Sequence, residues 1–343
     1  MKDFGGGIVV RQISRRHFLR ESSGLAAAAA TLARSGRVFS AEARGIGASV
    51  WEEHGQDAHA TPHIHFPTAA RARLSVSSYP FRDFIEDPSH PSPAGKQPRM
   101  KLQDFGAMVA EKFQLHNIEP WSAHFKSTEP AYLAELRAAF DKAGAHVINI
   151  PADISHSVYD PDSAKRAQAL REGKTWVEAA SALGSPSVRI HIAETDKVKP
   201  DVERAATSLR QVADYGARKN IVVNLENDDL VSEDAFFVVA VIEKANHPYL
   251  HALPDFANSM MTGNADFNYR AVEAMFKHAY CISHVKEGED GPNGKFIAVD
   301  VPRTFGIAKA AGYRGYFSME MDRQGDPYSG TQKLIDLSLQ NIT

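Results

Sequence analysis

From residue 72 onward, short β-branched runs alternate with longer amphipathic stretches, and that alternation confines the chain to a parallel sheet with crossover helices. Strands are read at 73–78, 116–119, 146–151, 187–192, 221–226, 250–255, 280–286 and 315–321. Helical patterns fall between them at 131–143, 163–183, 202–219, 232–245, 268–278 and 302–311, with a closing stretch at 330–339. Ser232 reads as an N-cap with Asp234 in the first turn of its helix, while Gly144, Gly184 and Gly312 read as C-cap glycines. Eight strands in about 270 residues match a closed (β/α)8 TIM barrel, whose usual size is about 250. An open doubly wound sheet would carry a glycine-rich phosphate turn after its first strand. Here Tyr79-Pro80-Phe81-Arg82 and a Pro-rich insertion at 87–98 follow instead. Residues 72–343 are therefore read as one barrel.

Charge narrows the partners. With 39 basic against 42 acidic residues, the chain has no basic field to gather phosphate backbones, which argues against nucleic acid. Hydrophobic residues at 43% and charged ones at 24% fit a soluble globular protein with a sizeable core. The single cysteine, Cys281, forbids an intrachain disulfide and a cysteine-based zinc site, and its apolar surroundings make it a buried, inert thiol.

The first 43 residues read as an address. Ser14-Arg15-Arg16-His17-Phe18-Leu19-Arg20 precedes a small-residue apolar stretch at 24–33, and Ser40-Ala41-Glu42-Ala43 offers small residues for cleavage. The arginine pair followed by Phe18 and Leu19 resembles the twin-arginine export signal, with Arg20 where lysine is commoner. The apolar stretch is shorter than the roughly 20 residues a membrane span needs, so no stable insertion is expected after the signal is removed. The resemblance implies a passenger that folds before crossing to the periplasm. Residues 44–71, with His54, His59, His63 and His65, lack periodicity and read as a solvated linker.

Barrel enzymes place their chemistry at the C-terminal ends of the strands, and the last four strands each end in a polar residue of metal-binding type. They are Glu226, Asp255, His284 and Glu320. Neighbouring barrel strands lie about 4.8 Å apart, so inward side chains on adjacent ends can converge on one ion. Three carboxylates and an imidazole suit one divalent cation; oxygen-rich ligation leans to manganese or magnesium, with cobalt and zinc also accommodated. Buried together without a cation, the acids would need several basic partners, and Arg189 and Lys286 are the obvious ones.

Further candidates line the same mouth. Glu119 is placed to bond substrate hydroxyls, Trp121 either to stack on a ligand face or to plug the barrel wall, and His124 follows closely. Arg189 and His191 alternate on the fourth strand and share a face, which makes His191 a candidate second acid/base and Arg189 a substrate contact. Lys286 can meet a substrate oxyanion or pair with Glu320 or Glu226. Residues 287–292 read as a flexible acidic loop that can act as a lid.

Asn-Leu-Glu-Asn at 224–227, Pro-Asp-Phe-Ala-Asn at 254–258, Ser-His-Val-Lys at 283–286 and Gly-Tyr-Phe-Ser-Met-Glu at 315–320 resemble the strand ends of the xylose-isomerase-like sugar phosphate isomerase/epimerase superfamily. The resemblance spans 72–343. It implies the four ligands as named and lets Glu226 and Glu320 double as acid and base in ketose epimerisation or aldose–ketose isomerisation. Asn258, counted among the substrate contacts, stands where ketose epimerases of this family carry a histidine. The chemistry is coherent on its own terms. A proton removed beside a carbonyl leaves an enediolate, which a divalent cation stabilises and a second carboxylate can reprotonate on the other face. The same intermediate can expel a β-leaving group, so a lyase acting on an oxidised glycoside is the second reading, and a periplasmic binding protein without turnover is a third. Export favours free sugars over sugar phosphates. A homo-oligomer stays open.

Overall fold

The computed structural model describes residues 61–88, 99–195, 198–228, 234–291 and 294–342. The stretch read as an export signal, the first part of the one read as a linker with His54 and His59, most of the 87–98 insertion, Ser232 and Pro292 lie outside the described residues.

Strands buried on both faces are short and apolar, as a barrel wall requires. In chain order they are β1 (Leu74–Ser77), β2 (Asn117–Glu119), β3 (His146–Val147), β4 (Pro151–Ala152), β5 (Ser187–Ile190), β6 (Val222–Glu226), β7 (Leu250–Leu253) and β8 (Ile282–Val285). After these come β9 (Gly288–Asp290), β10 (Phe296–Ala298) and β11 (Tyr316–Met319). The helices are α1 (Leu102–Phe113), α2 (Pro130–Lys142), α3 (Ser163–Leu183), α4 (Val202–Ala217), α5 (Ala235–Ala245), α6 (Ala265–Phe276), α7 (Val301–Ala310) and α8 (Pro327–Asn341).

One parallel set runs β3-β2-β1-β11-β8 and another β4-β5-β6-β7. Two joints close them. β3 and β4 are successive pieces of one stave: the Ile148 amide donates to Ile118 O on one side, and Ile150 O accepts from Arg189 N on the other. β7 and β8 meet through the bridges Ala252–Ala279 and Asp255–His284. The result is a (β/α)8 barrel, the fold expected.

Most apolar side chains pack between the staves and the helices. Inside the barrel a separate small cluster of Ile148, Leu253 and Ile282, with Tyr316 against it, fills the lower layer. Residues two apart on a stave share a face. Leu253 therefore leads to Asp255, Ile282 to His284 and Tyr316 to Glu320, which carries the apolar plug upward into polar groups at the strands' C-terminal ends.

Helix starts are fixed by side-chain caps: Asp162, Asp201, Asp234, Asn264, Asp300 and Asp326 each accept a first-turn amide. Asp234 is thus the cap of α5 and not a first-turn residue. Gly184 ends α3 at φ +70°, the left-handed geometry its lack of a Cβ permits.

Three features differ from the sequence reading. Helix α1 was not among the expected patterns; Leu102, Phe105, Val109 and Phe113 form its buried stripe. The acidic stretch after β8 is not a loop throughout: β9 pairs antiparallel with β10, Glu289 opposite Ile297. In the stretch read as linker, residues 61–66 lie across the N-terminal ends of the staves. Asn220 exchanges hydrogen bonds with the His63 backbone, Tyr249 and Tyr280 hydroxyls donate to Thr61 O and Pro62 O, and Phe66 sits edge-on to Tyr280 and Tyr316. No helix among the described residues is long and apolar enough to cross a membrane.

Candidate metal centre

Four side chains from four consecutive staves converge at the C-terminal mouth. Glu226, Asp255, His284 and Glu320 each offer one ligand atom within 4.8 Å of the others, and all four are buried. His284 Nδ1 lies 2.8 Å from Glu226 Oε1, 3.0 Å from Glu320 Oε2 and 4.0 Å from Asp255 Oδ2.

Local hydrogen bonding fixes the ends of β6 and β7. Asn227, directly after Glu226, accepts the Asp255 amide at 2.8 Å and donates to Asp255 O and Ser259 Oγ, both at 3.2 Å. One side chain thus sets the spacing of the β6 and β7 ends. Asp255 Oδ1 accepts the Ala257 and Asn258 amides at 2.8 and 2.7 Å. Its other oxygen, Oδ2, is buried with no hydrogen bond among the described residues. A buried carboxylate oxygen left in that state costs free energy unless a cation meets it.

Two permanent cations flank the cluster. The Arg189 guanidinium lies 2.8 Å from Asp153 Oδ1, 3.0 Å from Glu226 Oε2 and 3.1 Å from Asp228 Oδ2. Lys286 donates to Asn258 Oδ1 at 2.6 Å. Its ammonium also stands 3.6 Å from carboxylate oxygens of Glu320, Glu289 and Asp322, and 3.8 Å from Asp255. Asn258 in turn donates to Glu226 Oε1 at 3.3 Å.

The acids outnumber the cations, and the protonation equilibria record it. Burial, opposed by Lys286 and reinforced by Glu226 and Glu320, pushes the Asp255 carboxyl up to about 7. Burial alone would depress the His284 imidazolium, but the carboxylates of Glu119, Glu320 and Glu226 overcome it and hold its pKa well above the usual range. Burial likewise opposes the Lys286 ammonium, and Asp255, Glu320, Asp322 and Glu289 raise it. Burial thus favours an uncharged Asp255, while the surrounding carboxylates favour a charged His284. Three carboxylates, among them Asp255 with an oxygen that has no hydrogen bond, and one imidazole nitrogen fit a divalent cation.

The remaining candidates divide. Glu119, expected to meet substrate hydroxyls, is fully buried and instead has both oxygens 3.0 Å from His284 Nε2, with Asn149 Nδ2 donating to Oε1 at 2.7 Å. The Trp121 indole donates to Asp153 Oδ2 at 2.6 Å and stands edge-on to Tyr79 and His124, building the mouth wall. His124 bonds Ser78 Oγ at 2.9 Å. Its burial, with Arg82 and Arg99 nearby, lowers its pKa to about 3 and keeps it neutral. His191 follows β5 directly and is buried, its amide donating to Ala152 O. It lies outside the four-residue cluster. Sequence reasoning passed over Asn149, Asp153, Asn227, Asp228, Glu289 and Asp322. Asn227, Asp228 and Asp322 sit one or two residues beyond a ligand glutamate, and that position was the available signal.

A family model described as a xylose isomerase-like TIM barrel matches residues 104–340. No curated protein matches the sequence. Solved structures do. A D-allulose 3-epimerase from Methylomonas sp., solved in complex with D-allulose, aligns over 81% of this chain and 99% of its own at 16% identity and TM-score 0.61. A 3-keto-D-glucoside 4-epimerase from E. coli aligns over 78% of this chain and 98% of its own at 16% identity and TM-score 0.57. A xylose isomerase-like TIM barrel protein from Mycobacterium smegmatis, in complex with magnesium, aligns over 83% and 99% at 15% identity and TM-score 0.57. At such identities the likeness is one of fold.

Proposed function

The chain belongs to the xylose isomerase-like TIM barrel family, and we propose that it is a divalent-metal-dependent sugar isomerase or epimerase that moves a proton on carbon beside a carbonyl. The convergence of Glu226, Asp255, His284 and Glu320 at the barrel mouth carries this reading. When bound, the cation, manganese or magnesium by its donor set, supplies Lewis-acid stabilisation for negative charge developing on substrate oxygens.

The protein's own groups supply the rest. Glu226 and Glu320 come from staves separated by two others, so they flank the centre. One removes the proton and the other returns it, which inverts the carbon or shifts the carbonyl. Arg189 braces Glu226, and Lys286 keeps positive charge beside Glu320 and Asp255, where an oxyanion would form. The fold likeness to enzymes whose names specify D-allulose and 3-keto-D-glucosides supports a small carbohydrate substrate. Asn258 in place of the ketose-epimerase histidine, with its amide engaged by Lys286 and Glu226, favours a substrate other than a simple ketose. A keto-glycoside fits, and β-elimination from its enediolate is the second reading. The twin-arginine pattern at Arg15-Arg16 supports an exported enzyme that meets free sugars.

Enolisation is the common step and the one to measure. The purified, manganese-loaded chain is incubated with ketoses, aldoses and 3-keto-glycosides in deuterated water, and label beside the carbonyl is followed by mass spectrometry. Wild type should wash deuterium into at least one substrate, and Glu320→Gln should slow it by at least about 100-fold. Deuterium gain with loss of the aglycone identifies a lyase. Silence across the panel with metal bound would leave a binding protein and overturn the enzyme.

A further inference from the structure

Glu119 ends the second stave and is fully buried. Its bonded side-chain partners among the described residues are Asn149 and His284. The contacts form a chain across the interior: the Ser187 hydroxyl lies 2.8 Å from Asn149 Oδ1, Asn149 Nδ2 donates to Glu119 Oε1, and both Glu119 oxygens face His284 Nε2. A carboxylate only accepts, so Nε2 must carry a hydrogen.

That constraint decides what the other ring nitrogen can do. Nδ1 faces Glu226 Oε1 at 2.8 Å and Glu320 Oε2 at 3.0 Å. A neutral ring with its hydrogen on Nδ1 would donate to those carboxylates and block the centre. With a hydrogen on Nε2 and the Nδ1 proton given up to an incoming cation, the Nδ1 lone pair points among the three acids. We propose that Glu119 is the positioning residue of this centre: from the far side of the ring, it fixes His284 in the Nε2–H tautomer and ring orientation that present Nδ1 to a divalent cation. The proposal rests on the metal-centre reading above. A carboxylate behind a ligating histidine commonly acts so, and its loss lowers metal affinity about 10–100-fold.

The test uses the full chain stripped by chelator and titrated with Mn2+, free ion being read by electron paramagnetic resonance. Glu119→Gln should bind Mn2+ about 10–100-fold more weakly than wild type while the metal-free melting temperature holds. In Glu119→Leu saturated with Mn2+, the 14N modulation from a directly coordinated imidazole should weaken or vanish, a signal a merely structural role would leave intact. Equal affinity and unchanged modulation would overturn the proposal. Should both variants fail to fold, Asn149→Ala, which removes the donor that orients Glu119, carries the test: a lower affinity supports it and an unchanged one overturns it. Failure of wild type itself to bind Mn2+, Mg2+, Co2+ or Zn2+ would instead sink the metal-centre reading and this proposal with it.

Discussion

His284 faces opposing demands. Four carboxylates within reach favour its protonated form, whereas a metal ligand must offer a bare nitrogen. Because its pKa is raised well above the usual range, the imidazolium proton is retained through neutral pH, and an incoming cation has to expel it. Affinity should therefore rise with pH and fall as acid competes for Nδ1. Calorimetric titration with Mn2+ in buffers of different ionisation enthalpy should show release of about one proton near neutral pH. Binding that takes place without proton release, at an affinity flat between about pH 6 and 8, would contradict this account of the site. The four converging side chains were legible in the sequence, since a polar residue closing an apolar run at a stave's C-terminal end marks itself. The pairing of Glu119 with His284 was not. The two are 165 residues apart, and only the closed barrel brings the second and seventh staves' side chains together across the interior.

At the scale of elements, legibility followed periodicity. Staves such as 222–226 and 282–285 are apolar runs bounded by turn residues, and they stand where the pattern put them. Helix α1 was hidden because it emerges from a Pro-rich insertion, and β9 because Glu287, Glu289 and Asp290 make a strand look like a charged loop. The signal for the hairpin lay in Asn293-Gly294 ahead of Phe296-Ile297. This hairpin is more than trim, because it brings Glu289 to 3.6 Å from Lys286. Burial, opposed by Lys286 and helped by Asp322, pushes Glu289 up to about 7, so its charge is held only weakly. Gly288 makes the pairing feasible: its φ is +156°, and a Cβ there would fall 2.3 Å from Ile297 O. Gly288→Ala should unpair β9 from β10, raising amide exchange at 288–290 and 296–298 at least about tenfold while the staves keep their protection. Unchanged exchange in the hairpin would mean that the backbone absorbs the methyl group.

Across the whole molecule, the barrel is closed at its two ends by different means. Below, residues 61–66 and the plug of Ile148, Leu253 and Ile282 seal it with apolar contact. Above, like charges from several staves face one another at short range, and Arg189 and Lys286 offset only part of them. The upper rim is therefore where the fold holds unrelieved repulsion, and a divalent cation would tie together β6, β8 and the ends of β7 and β11. In the unfolded chain those ligands are far apart in sequence, so the ion binds the native state preferentially and stabilises it by mass action. At free metal about 100 times the dissociation constant that amounts to about 2.7 kcal/mol. For a domain of this class the melting temperature should rise by about 5–10 °C, as scanning calorimetry would read it. Chelator should reverse the rise, and Asp255→Ala, which removes the oxygen with no hydrogen bond of its own, should abolish most of it. A melting temperature indifferent to Mn2+, Mg2+, Co2+ and Zn2+ would mean that protons and the two flanking cations already satisfy the rim, and that the four side chains converge for packing alone.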